Sequence, residues 1–188
     1  DIHDIVIDEE ASTVYLTDPD MSLDVGSIGK GYAVQKVAEY AKNELGIRYM
    51  LFSVGGNVCA IGGHPDGSAW AVGIQNPEVE SDQAYIKKVE VRDLSVVTSG
   101  NYQRYYTVDG KRYCHIINQD TLMPADNFSS VTIITNDSGM ADAYSTAIFN
   151  MPLAEGMEFV NQLDGVEAMW ILEDGSIQYS DGFEEYTR

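Results

Sequence analysis

The chain has 188 residues, 44% of them apolar and 12 of them Tyr, enough for one domain with a real core and too ordered in composition for a disordered chain. With 30 acidic against 11 basic residues its net charge is −19, a field that repels nucleic acid and anionic membrane surfaces. Cys59 and Cys114 are too few for a disulfide framework and their spacing suits no zinc site, so both read as buried free thiols.

Residues 2–7 and 13–17 alternate apolar and polar, which predicts two strands joined by the turn Asp8-Glu9-Glu10. After the turn Asp18-Pro19-Asp20 comes Leu23-Asp24-Val25-Gly26-Ser27-Ile28-Gly29-Lys30-Gly31-Tyr32-Ala33-Val34. Its glycines allow close backbone approach to a ligand, and a helix is predicted to start at Gly31. The partial positive charge of that helix start, with Lys30 beside it, suits a phosphate. The same residues would also serve as a plain turn between strand and helix. A Walker A loop is excluded, because only two residues separate Gly26 from Gly29 and Gly31 follows Lys30.

The helical stripe Tyr32, Val34, Val37, Ala38, Ala41 and Leu45 stops at Gly46. Residues 49–54 form a continuous apolar run, which predicts a strand buried on both faces, ending at Gly55-Gly56-Asn57. Further strands are expected at 58–63, 69–74, 84–91 and 94–98, the last running into Ser99-Gly100. Residues 102–108, the turn Asp109-Gly110 and residues 111–117 predict a tight hairpin. A strand at 129–135 precedes a helix from 139 to about 150, capped by Asp137 or Ser138 and stopped by Pro152. A short helix at 154–163 and a final hairpin, 166–172 with 177–180, complete an α+β chain of largely antiparallel sheet and three helices.

Three places could carry chemistry. Asp142 and Thr146 stand four apart on a predicted helix, so a carboxylate and a hydroxyl share one face, a pair that suits a hard cation such as Mg²⁺. Such an Asp also serves the helix dipole, and as an exposed first-turn residue its removal is expected to leave the fold intact. His115, embedded in a predicted apolar strand, is either a hydrogen-bonded structural His or a proton-transfer group near neutral pH. Thr98-Ser99-Gly100 at a strand end offers hydroxyls and backbone donors to a ligand, or is simply a bend.

In this order, the Leu23–Val34 stretch, Val54-Gly55-Gly56-Asn57, Trp70-Ala71-Val72-Gly73-Ile74-Gln75-Asn76-Pro77, Thr98-Ser99-Gly100-Asn101-Tyr102, Tyr113-Cys114-His115-Ile116-Ile117 and Ala141-Asp142-Ala143-Tyr144-Ser145-Thr146-Ala147 resemble the ApbE family. These are the FAD:protein FMN transferases once labelled thiamine-biosynthesis lipoproteins. The resemblance implies a T-fold-related α+β domain over residues 1–188, lacking the family's N-terminal segment. It also implies Mg²⁺-dependent transfer of FMN from FAD to a Thr or Ser hydroxyl of an acceptor protein, with release of AMP.

Carried over to matching positions, Asp24, Lys30, Ser99 and Ile116 contact FAD, Ile116 through its backbone. Ser27, through its carbonyl, joins Asp142 and Thr146 on the metal. His115 and Asp142 are the catalytic residues, His115 moving the proton of the attacking hydroxyl. Two alternatives stay open: an FAD pyrophosphatase using the same metal site, and a non-catalytic FAD-binding module. The chain holds no run of 18 apolar residues, so no spanning helix is expected. It starts at Asp1 and reads as a processed piece whose parent, by resemblance, is anchored at the bacterial cell envelope outside the cytoplasm. The family's Ile-Asp-Pro-x-Thr-Gly becomes Ile117-Asn118-Gln119-Asp120-Thr121-Leu122 here, so the loop beside the flavin is expected to be reshaped.

Overall fold

The computed structural model describes residues 2–187. Fifteen regular elements follow in order: β1 (Ile5–Asp8), β2 (Thr13–Leu16), α1 (Gly29–Asn43), β3 (Met50–Val54), β4 (Asn57–Ile61), β5 (Trp70–Gln75), β6 (Tyr85–Val91), β7 (Ser95–Gly100), β8 (Tyr105–Val108), β9 (Lys111–Cys114), β10 (Phe128–Thr135), α2 (Ser138–Phe149), α3 (Leu153–Asn161), β11 (Glu167–Leu172) and β12 (Ile177–Tyr179). A wholly antiparallel sheet in the order β12-β11-β10-β7-β4-β3 forms the middle layer. The expected α+β class with three helices is what is observed.

Alternation along the strands builds the two outer layers. On one face, Cys59 and Ile61 of β4 pack on Val34, Ala38 and Ala41 of α1. Farther along that face Val97, Val131, Ile133, Ala168 and Trp170 pack on Ala141, Ile148 and Phe149 of α2 and Val160 of α3. On the other face Ala60, Val96, Ile134, Met169 and Ile171 meet Val72, Ile74, Val89 and Val91 of the β5–β6 pair and Phe183. Burial raises the pKa of both thiols, Cys59 and Cys114, and both are free and buried as expected.

Three local expectations change. Residues 49–54 were expected to form a strand buried on both faces, but β3 is an edge strand. Met50 and Phe52 cover α1 residues, whereas the β5–β6 layer stops over β4, leaving Leu51 on the opposite face 37% exposed. Helix α1 begins at Gly29 instead of Gly31, because the Val25 carbonyl accepts from both the Ile28 and Gly29 N–H groups and closes a turn early. The β8–β9 hairpin is shorter than expected: pairing runs only from Tyr105↔Cys114 to Val108↔Lys111, with both Asp109 and Gly110 at positive φ as a primed turn requires. His115 therefore lies past the strand and is exposed rather than embedded in it.

α1 and α2 cross at their N-terminal turns, and small residues make this possible. A Cβ on Gly31 would stand 2.1 Å from the Ser138 carbonyl oxygen and 2.6 Å from the Asp142 Cβ. Asp137 caps α2 by accepting from the Met140 N–H at 2.9 Å, and the Ser138 N–H donates to Gln35 Oε1 on α1 at 3.0 Å. Among the described residues no helix is long and apolar enough to cross a membrane.

Candidate functional site

A cleft of about 1100 Å³ opens where the N-terminal turn of α1, the ends of β4 and β7, strand β5 and the base of the β8–β9 hairpin meet. That is slightly above the roughly 300–1,000 Å³ usual for small-molecule sites. All eight residues singled out from the sequence line it: Asp24, Ser27, Lys30, Ser99, His115, Ile116, Asp142 and Thr146. They come from four separated stretches, brought together by the α1–α2 crossing, by Ser99 of β7 lying against Ser145 and Thr146 of α2, and by the base of the β8–β9 hairpin opening onto the same cleft.

The α1 side begins with an Asx turn, Asp24 Oδ1 accepting from the Gly26 N–H at 2.6 Å. Lys30 follows in the first turn of α1, and its Nζ lies 3.0 Å from Asp142 Oδ1. Asp142 Oδ2 accepts from the Gly31 N–H at 2.8 Å, satisfying one of the backbone donors that a helix start leaves open. Asp142 is thus 2% exposed and not the exposed residue expected, so its removal touches the fold as well as the cleft. Ser138, Asp142, Ser145 and Phe149 share one buried face of α2, but three of the four are polar, so no apolar stripe marked that face in the sequence.

Gly55 and Gly56 make the β3–β4 turn with φ of 55° and 93°, and a Cβ on Gly55 would be 3.6 Å from Lys30 Cδ. The turn therefore lies alongside the Lys30 stem. Across the cleft the Ser99 hydroxyl lies 2.8 Å from Ser145 Oγ and 3.5 Å from Thr146 Oγ1. Ser145 and Thr146 both donate to the Asp142 carbonyl, at 2.9 and 3.2 Å. With its proton committed there, Thr146 Oγ1 has lone pairs left for the cleft.

His115 is held by the Arg104 carbonyl, which accepts from its backbone N–H at 3.2 Å and lies 3.3 Å from Nδ1. A carbonyl only accepts, so Nδ1 carries the proton and Nε2 presents a lone pair. Ile116 is buried; its carbonyl accepts from the Ala125 N–H at 2.8 Å, so its N–H is the backbone group left for a ligand.

Four lining residues had no role in the sequence reading. Tyr102 is 6% exposed, and burial pushes its hydroxyl pKa up to about 12. Gln103 Nε2 donates to Gln75 Oε1 at 2.8 Å, tying the approach to β8 onto the end of β5. Arg104 anchors His115. Gln75 and Tyr102 fell inside recognisable stretches, but nothing in their local pattern separates lining from packing.

Among the described residues no three His, Cys, Asp or Glu side chains converge as a metal cluster. A cation held here would have one carboxylate, Asp142, with the Thr146 hydroxyl and the Ser27 carbonyl. Those hard oxygens fit Mg²⁺, which takes few protein ligands and leaves the rest to phosphate and water. The Lys30 ammonium resting on Asp142 Oδ1 marks the same spot as one where positive charge is stabilised. The loop from Asn118 to Leu122 is closed by Asn118, whose Oδ1 accepts from the Asp120 and Thr121 N–H groups at 3.0 Å each. Leu122 in this loop has a φ of 56°.

A sequence profile of the ApbE family matches residues 1–170. An FAD:protein FMN transferase of Treponema pallidum (strain Nichols) is 35% identical over 185 residues, covering 94% of this chain and 51% of the relative. One from Klebsiella pneumoniae (strain 342) is 33% identical over 175 residues, covering 93% and 53%. The crystal structure of the ApbE protein from Thermotoga maritima matches with a TM-score of 0.88 and 31% identity over 100% of this chain and 60% of that one. Flavin transferase ApbE from Vibrio cholerae matches with a TM-score of 0.84 and 27% identity, covering 99% and 59%. The chain spans about half the length of the curated relatives it matches. On the profile match, the relatives and the shared fold, the chain belongs to the ApbE family.

Proposed function

We propose that this chain, as a single domain, carries the centre of an FAD:protein FMN transferase, which moves FMN from FAD onto a Thr or Ser hydroxyl of an acceptor protein and releases AMP. The observation that carries the reading is the convergence of Lys30 and Asp142, in contact at 3.0 Å, with Ser99 and His115 on one cleft.

In this reading the acceptor hydroxyl oxygen attacks the FMN-side phosphorus of FAD. A new P–O bond forms, the bond from that phosphorus to the bridging oxygen breaks, and AMP leaves with that oxygen. His115 Nε2 takes the hydroxyl proton, and the Arg104 carbonyl on Nδ1–H stabilises the imidazolium that results. Lys30 pairs with the diphosphate, supplying locally the positive charge that the −19 chain lacks globally. Asp24 fixes the Gly26 turn for close approach of the phosphates, Ser99 offers its hydroxyl, and the Ile116 N–H meets the flavin end. Asp142, Thr146 and the Ser27 carbonyl would hold Mg²⁺, which when bound neutralises charge developing on the diphosphate oxygens.

His115 is exposed, so water can reach the position of the acceptor hydroxyl, which favours FAD hydrolysis as the second reading. On the family resemblance we also propose that the parent protein belongs to the bacterial cell envelope, extracytoplasmic and membrane-anchored. Incubation with FAD, Mg²⁺ and a purified acceptor domain tests the assignment. Protein-bound flavin fluorescence is expected, slowed by His115→Asn with FAD affinity retained. Free FMN with an unlabelled acceptor would establish the hydrolase instead, and FAD retention unaffected by Asp142→Ala without turnover would leave a binding module.

A further inference from the structure

The β8–β9 hairpin stands apart from the rest of the molecule in composition and in packing. Three of the chain's 11 basic residues, Arg104, Lys111 and Arg112, fall within nine positions, against the single carboxylate Asp109. Every residue from Gln103 to Arg112 is exposed, and each strand packs substantially only on the other. Tyr105 is 43% and Tyr106 59% exposed.

The side chains nonetheless pack on one another. The Arg112 guanidinium lies 4.8 Å from the Tyr105 ring centre, and Tyr106 stacks on Tyr113 at 5.4 Å. Lys111 Nζ sits 5.5 Å from the Tyr113 ring. Among the described residues Arg112 has no carboxylate partner, and Lys111 has only the solvent-exposed Asp126 at 3.4 Å. Tyrosine, and arginine without a carboxylate partner, are residue types that carry binding energy at protein interfaces. The hairpin base leads straight into the cleft, since Arg104 and His115, one at each end, both line it.

Resting on the transferase reading, we propose that this hairpin docks an acidic segment of the acceptor protein and so delivers the neighbouring Thr or Ser hydroxyl to His115. Against a net charge of −19, which repels an acidic partner in general, the hairpin offers a cluster of three basic side chains beside the cleft and so favours one direction of approach. Three cations are too few for the counterion-driven grip that nucleic acid binding uses, roughly 6–10 phosphate contacts.

The test compares a synthetic threonine peptide flanked by aspartates with its asparagine counterpart, on the intact chain and on Lys111→Glu/Arg112→Glu. Neither substituted residue lines the cleft, so FAD affinity measured alongside is expected to stay unchanged. The acidic peptide is expected to bind about tenfold more tightly than the amide peptide at low salt. That advantage should shrink as salt is raised and vanish in the double variant, with Lys111→Gln/Arg112→Gln intermediate. Equal binding of the two peptides, or a preference that survives charge reversal, overturns the proposal. Loss of FAD affinity in the double variant also overturns it, by assigning the hairpin to the flavin site. So does charge-dependent binding to phosphatidylserine vesicles without any peptide preference, which would make the hairpin a lipid contact. If the acidic peptide docks as expected but never acquires FMN, the docking surface stands and the transferase reading falls. If both peptides acquire FMN at equal rates, transfer stands and the docking surface falls.

Discussion

The Lys30 ammonium lies 3.0 Å from Asp142 Oδ1, a contact across 112 residues of sequence, while the other Asp142 oxygen accepts from the Gly31 N–H. One buried carboxylate therefore both closes α1 onto α2 and faces the cleft. Structure and chemistry share an atom group here, so substitutions at Asp142 must be chosen to separate them.

Asp142→Ala removes the acceptor of a buried N–H, which costs about 2 kcal/mol. For a chain this size that lowers Tm by roughly 4–8 °C. Asp142→Asn keeps an acceptor for the Gly31 N–H, so it is expected to lose less than half as much Tm while losing activity as fully. Scanning calorimetry beside a flavin-transfer assay checks this; equal Tm losses would make the charge, not the hydrogen bond, the structural element.

Gly31→Ala is expected to be worse than any other glycine substitution in the Gly26–Gly31 loop. Its Cβ would meet backbone, the Ser138 carbonyl at 2.1 Å, which cannot rotate away. Pushing α2 off α1 should cost about 1–3 kcal/mol and weaken FAD binding together with stability. Gly29→Ala is the control: its nearest neighbour would be Val25 Cγ2 at 4.0 Å, and a helix gains from Ala. Denaturant midpoints of the two variants should move in opposite directions.

Leu122 is 76% exposed and holds a φ of 56°, a left-handed conformation that costs a side-chain-bearing residue about 1 kcal/mol. Leu122→Gly is expected to raise Tm by roughly 2–4 °C without a packing penalty. A fall in Tm would mean that unfolded-state entropy outweighs the relieved strain.

Tyr102 titrates near 12 when folded and near its ordinary 10.0 when unfolded. The folded state therefore holds this proton more tightly. Its stabilising contribution is complete below pH 10.0 and is lost as the pH rises through about 12. Urea unfolding of the parent chain should weaken over that window more steeply than unfolding of Tyr102→Phe. Parallel curves would show that the hydroxyl is solvated in the cleft.

Much of this architecture follows from local pattern. Asp137 caps α2 as its chemistry dictates, Asp109-Gly110 turns the hairpin with two positive φ values, and Gly46 follows the end of α1 with a φ of 66°. Such features depend on residues a few positions apart, and the chain carries them whatever it packs against. The residues proposed to meet a diphosphate were legible for the same reason: glycine, lysine, a carboxylate and a hydroxyl declare their chemistry wherever they sit.

Partnership decided the rest. The run from Met50 to Val54 is as apolar as a central strand, but only β4 pairs with it and the second layer does not reach it, so one face stays open. His115 left its strand because pairing with β8 ends at Cys114 and the Arg104 carbonyl takes over. Asp142 became buried because Gly31, with no Cβ, let two helix ends approach until a backbone N–H and a carboxylate met. By itself the sequence determined the elements, their turns and the kinds of group available to a ligand, since those are set by nearest neighbours along the chain. Only the tertiary structure decided which groups share a cleft, which edge is open and which charge is desolvated, because each depends on contacts between residues far apart in sequence.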